Sequence, residues 1–286
     1  MDMKGVIVRN RYYRDLGSDY VADRLFSELK AMGVKIEISD AFTLLSGKAL
    51  PEFAVFLDKD CVSGRLLEKR GVRLFNSADA VRICDDKFLT AVELDGIAAF
   101  PETLCSPLKY PVSEPQDEPF IRCVAERLGF PVIAKFCVGS LGAQVFLLND
   151  LAELEKFHVE NVSSGRIIYQ KYVRESKGSD IRVYVVGGNA AACVSRRNAD
   201  SFKSNAEGGA VTLPYESPTH AAVAEKACRH LRLDYAAVDF FKTEQPLLAE
   251  VNSNAYFKDA EAASGVNIAA CYARHILKEL KCSRKV

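Results

Sequence analysis

Ala236-Ala237-Val238-Asp239-Phe240-Phe241 and Leu247-Leu248-Ala249-Glu250-Val251-Asn252, joined by the turn residues Thr243-Glu244-Gln245-Pro246, decide how the rest of the chain is read. Two apolar runs around a polar, proline-containing turn predict a β-hairpin. A turn centred between Glu244 and Gln245 sets Asp239 opposite Glu250, and side-chain alternation turns Glu250 and Asn252 the same way. Three oxygen-bearing side chains then share one face. The plain alternative is a solvated hairpin face. The apolar partner positions weigh against it, because such a face would be half buried with its charges unpaired. Two carboxylates and an amide suit magnesium, which prefers hard oxygens and shares its shell with nucleotide phosphates. Facing carboxylates repel, so replacing one of the two should leave folding intact.

Upstream lie the cations such a site would need. Lys135 interrupts the apolar run Val132–Phe136, and Gly139-Ser140-Leu141-Gly142 follows as a small-residue loop able to present backbone N–H groups to phosphate. Lys87 closes the tripeptide Asp85-Asp86-Lys87. Taken singly, a strand lysine is also consistent with a side chain that snorkels from a sheet edge. A third cluster is Gln170-Lys171-Tyr172-Val173 followed by Gly178-Ser179-Asp180-Ile181-Arg182, where strand-end backbone and a carboxylate offer partners to a base edge and to ribose hydroxyls. Arg196 and Arg197 lie further on, with Phe202-Lys203-Ser204-Asn205 after them. Solvated arginines at a strand end are the alternative there. A turn near Gly188 sets Arg182 opposite about position 194 and leaves Arg196 just beyond the start of its partner strand.

The first 77 residues alternate differently. Strands are predicted at 4–9, 34–38, 53–57 and 72–75, with helices at 19–32 and 62–69, the sign of a small parallel α/β layer. No G-x-G-x-x-G follows the first strand, which disfavours a dinucleotide fold. A single helix is predicted from Ser77 through Leu94, with Ser77 as N-cap. The proline-bearing stretch 106–119 reads as a surface connection, and the remainder as strand-rich: 132–136, 144–148, 167–173, 181–186, 190–196, 236–241 and 247–251, with helices at 219–231 and 267–281.

Composition narrows the field further. The 286 residues carry 38 Lys plus Arg and 38 Asp plus Glu, so the net charge of zero gives no global case for nucleic acid or an anionic membrane. No apolar run approaches the roughly 18 residues of a membrane helix. The cysteines number nine, with no C-x-x-C pair and mostly apolar neighbours, so buried free thiols and a reducing cytoplasm are expected. The four histidines form no ligand-spaced pair, which disfavours zinc.

Taken in order, NSADAVRICDDK, GFPVIAKFCVGSLGAQV, YQKYVRESKGSDIRVYVVGG, SRRNADSFKSNAEGG, AAVDFF and LLAEVNSNAYFKDAEAASGVNIA resemble the ATP-grasp superfamily, specifically RimK-like carboxylate–amine ligases, over about residues 76–280. The resemblance implies a fold of α/β plus α+β type. Residues 1–77 would form a small N-terminal parallel α/β domain, and 78–286 an ATP-grasp module of two α+β subdomains, split near 173, with ATP between them. It implies that Lys87, Lys135 and Ser140 meet ATP phosphates, that Gln170, Lys171, Tyr172 and Val173 line adenine, and that Asp180 holds ribose. Lys203, Ser204 and Asn205 would lie beside the triphosphate. Asp239, Glu250 and Asn252 would bind two Mg2+ ions, with Mn2+ admissible, and Arg182 and Arg196 would face the acyl phosphate and the carboxylate substrate. The implied activity joins a small-molecule or peptide carboxylate to an amine, releasing ADP and phosphate. Homo-oligomers are common among such relatives. Two departures stand out: Lys171 where RimK-type ligases usually carry Glu, and Asn254–Phe257 in place of a serine-proline-glycine turn. The second borders the substrate pocket, so a glutamate specificity is not carried over. Two other readings stay open at this point, an ATP-dependent phosphotransferase on the same fold and a noncatalytic nucleotide-binding protein.

Overall fold

The computed structural model describes residues 3–12, 18–47, 49–110, 118–139, 144–202, 204 and 210–283; the predicted site residues Ser140, Lys203 and Asn205 lie outside them. The chain opens with β1 (Lys4–Arg9), α1 (Ser18–Ala31), β2 (Lys35–Ser39), α2 (Ala41–Ser46), β3 (Phe53–Leu57), α3 (Cys61–Lys69) and β4 (Arg73–Phe75). The strands form one parallel sheet in the order β2-β1-β3-β4. Both faces are covered, as parallel sheets require. Ile7, Phe53 and Val55 pack to one side, and Val6, Val8, Ala54 and Phe56 to the other. The strands and longer helices fall within a residue or two of the expected positions. The short α2 was not anticipated; its signal is local, Asp40 accepting from the Thr43 N–H.

Next come α4 (Ala78–Asp85), α5 (Lys87–Glu93), β5 (Thr103–Cys105), α6 (Glu118–Leu128), β6 (Val132–Phe136), β7 (Val145–Leu148), α7 (Leu151–Asn161) and β8 (Ile167–Lys171). The single helix expected from Ser77 is in fact two. Asp86 is extended at φ −101°, ψ 109°, and its carboxylate caps α5 through the N–H groups of Phe88 and Leu89. The break has a tertiary cause. Asp86 bridges Val138, and the Lys87 N–H donates to the Cys137 carbonyl at 2.9 Å. Lys87 is thereby tied at the end of β6 as the first residue of a new helix. Strand β8 stops at Lys171, so Tyr172 and Val173, expected inside it, lie in the link to the next sheet. This region is also less strand-rich than expected, since α6 and α7 cover one face of the antiparallel sheet β5-β8-β6-β7.

The last part comprises β9 (Ser179–Val186), β10 (Asn189–Arg197), β11 (Val211–Pro214), α8 (Pro218–His230), β12 (Tyr235–Phe241), β13 (Leu247–Asn252), α9 (Lys258–Ser264) and α10 (Ile268–Ser283). Its antiparallel sheet runs β11-β10-β9-β12-β13. Alternation sorts its side chains. Ile181, Val183, Val185, Ala236, Val238 and Phe240 pack against α8. Tyr184, Val186, Ala192, Val194, Tyr235 and Ala237 face the other way, into a core shared with Leu25, Phe53, Phe75 and Tyr272. The parallel unit and this sheet thus share one hydrophobic interior. Asp180, Arg182, Arg196 and Asp239 continue that second face toward the opposite end of the sheet, where polar side chains replace the apolar ones.

Of the nine cysteines, all free, only Cys84, Cys137 and Cys228 are fully buried, fewer than their apolar neighbours suggested.

Candidate active site

A cleft of ≈ 1040 Å³, its open mouth included, lies between the two antiparallel sheets. One wall comes from β6–β8. Val132 and Ala134 point into the core there, so Ile133 and Lys135 point into the cleft. Lys135 Nζ donates to Gln170 Oε1 at 2.8 Å, and Gln170 Nε2 donates to Thr103 Oγ1 at 2.9 Å, which fixes the amide. Lys87 Nζ donates to the Gly139 carbonyl at 2.8 Å. Both lysines therefore rest on neutral acceptors. Burial pushes Lys135 down to about 8, with Lys87 acting in the same direction and Glu250 opposing it. Lys171, Tyr172 and Val173 line the same wall, and the Val173 carbonyl accepts the Ser176 N–H at 3.2 Å. Thr103 carried no sequence signal, because its role depends on β5 pairing beside β8.

The other wall comes from β9, β10, β12 and β13. Asp239 pairs across the ladder with Glu250, as the turn placement required. The pairing hides a β-bulge: Phe240 stands opposite Leu248, leaving Ala249 as the extra residue. The bulge has a clear use, since it lets Leu248 enter the core beside Phe240 while Glu250 stays on the cleft side. Arg182 faces Asp239 across β9–β12 and grips it with a fork, Nε to Oδ1 at 2.5 Å and Nη2 to Oδ2 at 2.6 Å. Arg196 is opposite Asp180 within β9, not beyond the strand's start as expected, because β9 begins at Ser179. It holds Asp180 through Nε at 2.8 Å and again through Nη2, and that nitrogen is also 3.3 Å from Asp239. Ser204 Oγ donates to Asp180 as well. Asn252 Nδ2 donates to Asp239 Oδ2 at 3.2 Å, although Asn252 does not itself line the cleft. Neither does Arg182.

Repulsion between Asp239 and Glu250 is therefore not the dominant force, contrary to expectation. Burial works against the Asp239 charge, yet Arg182 and Arg196 beside it hold its carboxyl below the ordinary value. Among the described residues, Glu250 takes no side-chain hydrogen bond or ion pair.

Gly178 lies in the link between β8 and β9, just before Ser179 of the cleft lining. Its φ is +65°, and a Cβ there would sit 2.3 Å from the Asn198 carbonyl oxygen and 2.5 Å from that of Ser201. Only glycine lets the β8–β9 link lie against the segment that carries Phe202 and Ser204 to the cleft.

The family model of the RimK-like ATP-grasp domain matches residues 109–276. This chain belongs to the RimK-like ATP-grasp family. Among its relatives, beta-citrylglutamate synthase B of Danio rerio is 29% identical over 265 residues, covering 89% of this chain and 64% of that protein. The Homo sapiens protein of the same name is 30% identical over 271 residues, covering 89% and 67%. The chain thus spans about two thirds of the length of these relatives. The D-alanine–D-alanine ligase of Bacillus anthracis superposes with a TM-score of 0.76 over 100% of this chain and 99% of its own, at 17% identity, a likeness of fold. The architecture is an N-terminal parallel α/β unit followed by antiparallel ATP-grasp sheets. Among the described residues no helix is long and apolar enough to cross a membrane.

Proposed function

We propose that this RimK-like ATP-grasp chain is an ATP-dependent carboxylate–amine ligase working through an acyl phosphate. One observation carries the reading: two lysines on one wall of an inter-sheet cleft face the cross-strand pair Asp239–Glu250 on the other. Lys87 and Lys135 hold the ATP phosphates, residues 170–173 take the adenine, and Asp180 takes the ribose, sharing its oxygens with Arg196 and Ser204. Among the described residues no three acidic, His or Cys side chains gather as a metal cage. Two carboxylates and the Asn252 amide are a partial oxygen set that fits Mg2+, which draws its remaining ligands from phosphates and water. Asp239, Glu250 and Asn252 would hold two such ions. Magnesium there supplies charge neutralisation on the phosphate oxygens.

The substrate carboxylate attacks the γ-phosphorus of ATP and ADP leaves. The amine then attacks the acyl carbon, phosphate departs, and the amine gives up a proton. No covalent protein nucleophile is needed; positioning and fixed charge do the work. Arg196 meets the acyl phosphate in this reading, which its position on the cleft wall supports. The acid and the amine are small molecules or peptides, and the Asn254–Phe257 segment argues against assuming glutamate. A reducing compartment such as the cytoplasm fits nine free thiols.

The test is a screen of acids with hydroxylamine as a general amine, following ADP and hydroxamate together. The reading expects ADP formation that depends on one class of acid and matches hydroxamate in amount. ADP formation with a stable phosphorylated product, or none with any acid, would contradict it.

A further inference from the structure

Resting on that reading, we propose that Arg182 is a positioning residue that holds the metal-binding carboxylate of Asp239 in the absence of nucleotide, so that a divalent ion enters the cleft only together with nucleotide phosphate. The argument begins with the acceptor capacity of Asp239. A carboxylate offers about four lone-pair positions. Oδ1 takes Arg182 Nε at 2.5 Å; Oδ2 takes Arg182 Nη2 at 2.6 Å and Asn252 Nδ2 at 3.2 Å, with Arg196 Nη2 3.3 Å away. A metal ion at Asp239 has to share or displace these donors.

The fork is anchored below the cleft. The Arg182 side chain is 13% exposed and that of Asp239 8%, and the two stand opposite each other on adjacent strands. Arg182 does not line the cleft, whereas Arg196 does. With Nε and Nη2 committed to Asp239 and the side chain off the cleft wall, Arg182 is turned to the metal-binding carboxylate, and the clamp role that the resemblance implied for both arginines is left to Arg196.

Charge sets the order of events. Among the described residues, the carboxylates of the site are Asp180, Asp239 and Glu250, and the cations are Lys87, Lys135, Lys171, Arg182 and Arg196, two positive charges in excess. A bare divalent ion meets no net attraction, while a polyphosphate does. Bound phosphate then reverses the balance and gives Arg196 a second anion. The competing account is a buried ion pair that only staples β9 to β12. Such pairs add little net stability, and a staple has no consequence for metal binding.

The measurement is Mn2+ binding to the full chain by electron paramagnetic resonance, with and without ADP, for wild type, Arg182→Met and Arg182→Lys. The wild type should bind Mn2+ at least about tenfold more tightly with ADP than without it. Arg182→Met should bind Mn2+ without nucleotide at least about tenfold more tightly than wild type, while its affinity for ADP alone stays within about threefold. Arg182→Lys keeps the charge and loses the fork, so its nucleotide-free affinity should rise by about threefold. If circular dichroism shows Arg182→Met unfolded, the lysine variant and the wild-type comparison decide. Equal Mn2+ affinity with and without ADP in wild type would overturn the proposal, as would unchanged nucleotide-free affinity in the folded variants. Those results leave the ligase reading standing. Absence of Mn2+ uptake even with ADP would remove the metal assignment and this proposal with it.

Discussion

On the β6–β8 wall, Lys135 and Lys87 lean on a neutral amide and a neutral carbonyl. On the β9–β13 wall, Asp239 and Asp180 are each gripped by an arginine fork. Both walls hold charge, but among the described residues the two lysines are left without a counter-ion and available to a ligand, whereas Asp180 and Asp239 are each neutralised by an arginine. The lysine wall is built to receive polyphosphate, and the carboxylate wall to keep its acids fixed. Glu250 differs from both, since its carboxylate takes no partner among the described residues.

The largest expected effect comes from breaking the compensated wall. Asp239→Asn should cost about 3–5 kcal/mol in urea denaturation, because it strips the partner from buried Arg182 and weakens that of Arg196. Glu250→Gln should cost under about 1 kcal/mol by the same method, having no ion pair to lose. Both should lower turnover by at least about a hundredfold. Equal stability of the two variants would erase the contrast between the carboxylates.

On the lysine wall, Lys135→Ala should weaken ATP binding by roughly ten- to a hundredfold, the worth of a charged hydrogen bond, and leave adenosine within about threefold. Calorimetry with both ligands checks it. Parallel losses would mean that Lys135 only packs against the sheet.

The same lysine gives a gentler, pH-dependent readout. Its ammonium form holds phosphate, and burial brings its pKa to about 8. ATP affinity should therefore be flat below about pH 7 and decline as pH rises through about 8. Lys135→Arg should stay flat across that range, because a guanidinium remains charged. A flat wild-type profile to about pH 9 would contradict the assignment.

The smallest effect lies behind the carboxylate wall. His220 stacks edge-on against Phe240, its Nδ1 2.6 Å from Ser217 Oγ and its Nε2 without a hydrogen-bond partner. Burial lowers its pKa. Its contribution to stability is present above the unfolded value of about 6.5 and is lost as pH falls below it, because the unfolded chain then binds the proton more readily. Urea midpoints at two pH values should show this drop reduced in His220→Gln.

Much of this site was legible in the sequence, and the misses have identifiable causes. The Asp239–Glu250 pairing followed from turn placement alone, because a hairpin register is local. The bulge at Ala249 did not, since Leu247-Leu248-Ala249 is apolar throughout and shows no break in alternation. The helix break at Asp86 was hidden because its cause, the bridge to Val138, is distant in sequence. The Arg182–Asp239 fork depends on β9 and β12 being neighbours, a fact of sheet order that the sequence does not carry. Helix α6, by contrast, was there to be read: Ile121, Val124 and Leu128 keep helical spacing and are buried.

The acyl phosphate is the claim on which the rest depends, and isotope transfer tests it most directly. Once an acid that supports turnover is in hand, its carboxylate is labelled with heavy oxygen and the released phosphate is analysed by mass spectrometry. The account predicts that one labelled oxygen passes from the carboxylate into phosphate for each amide formed. Phosphate without label, with the amide still made, would contradict it.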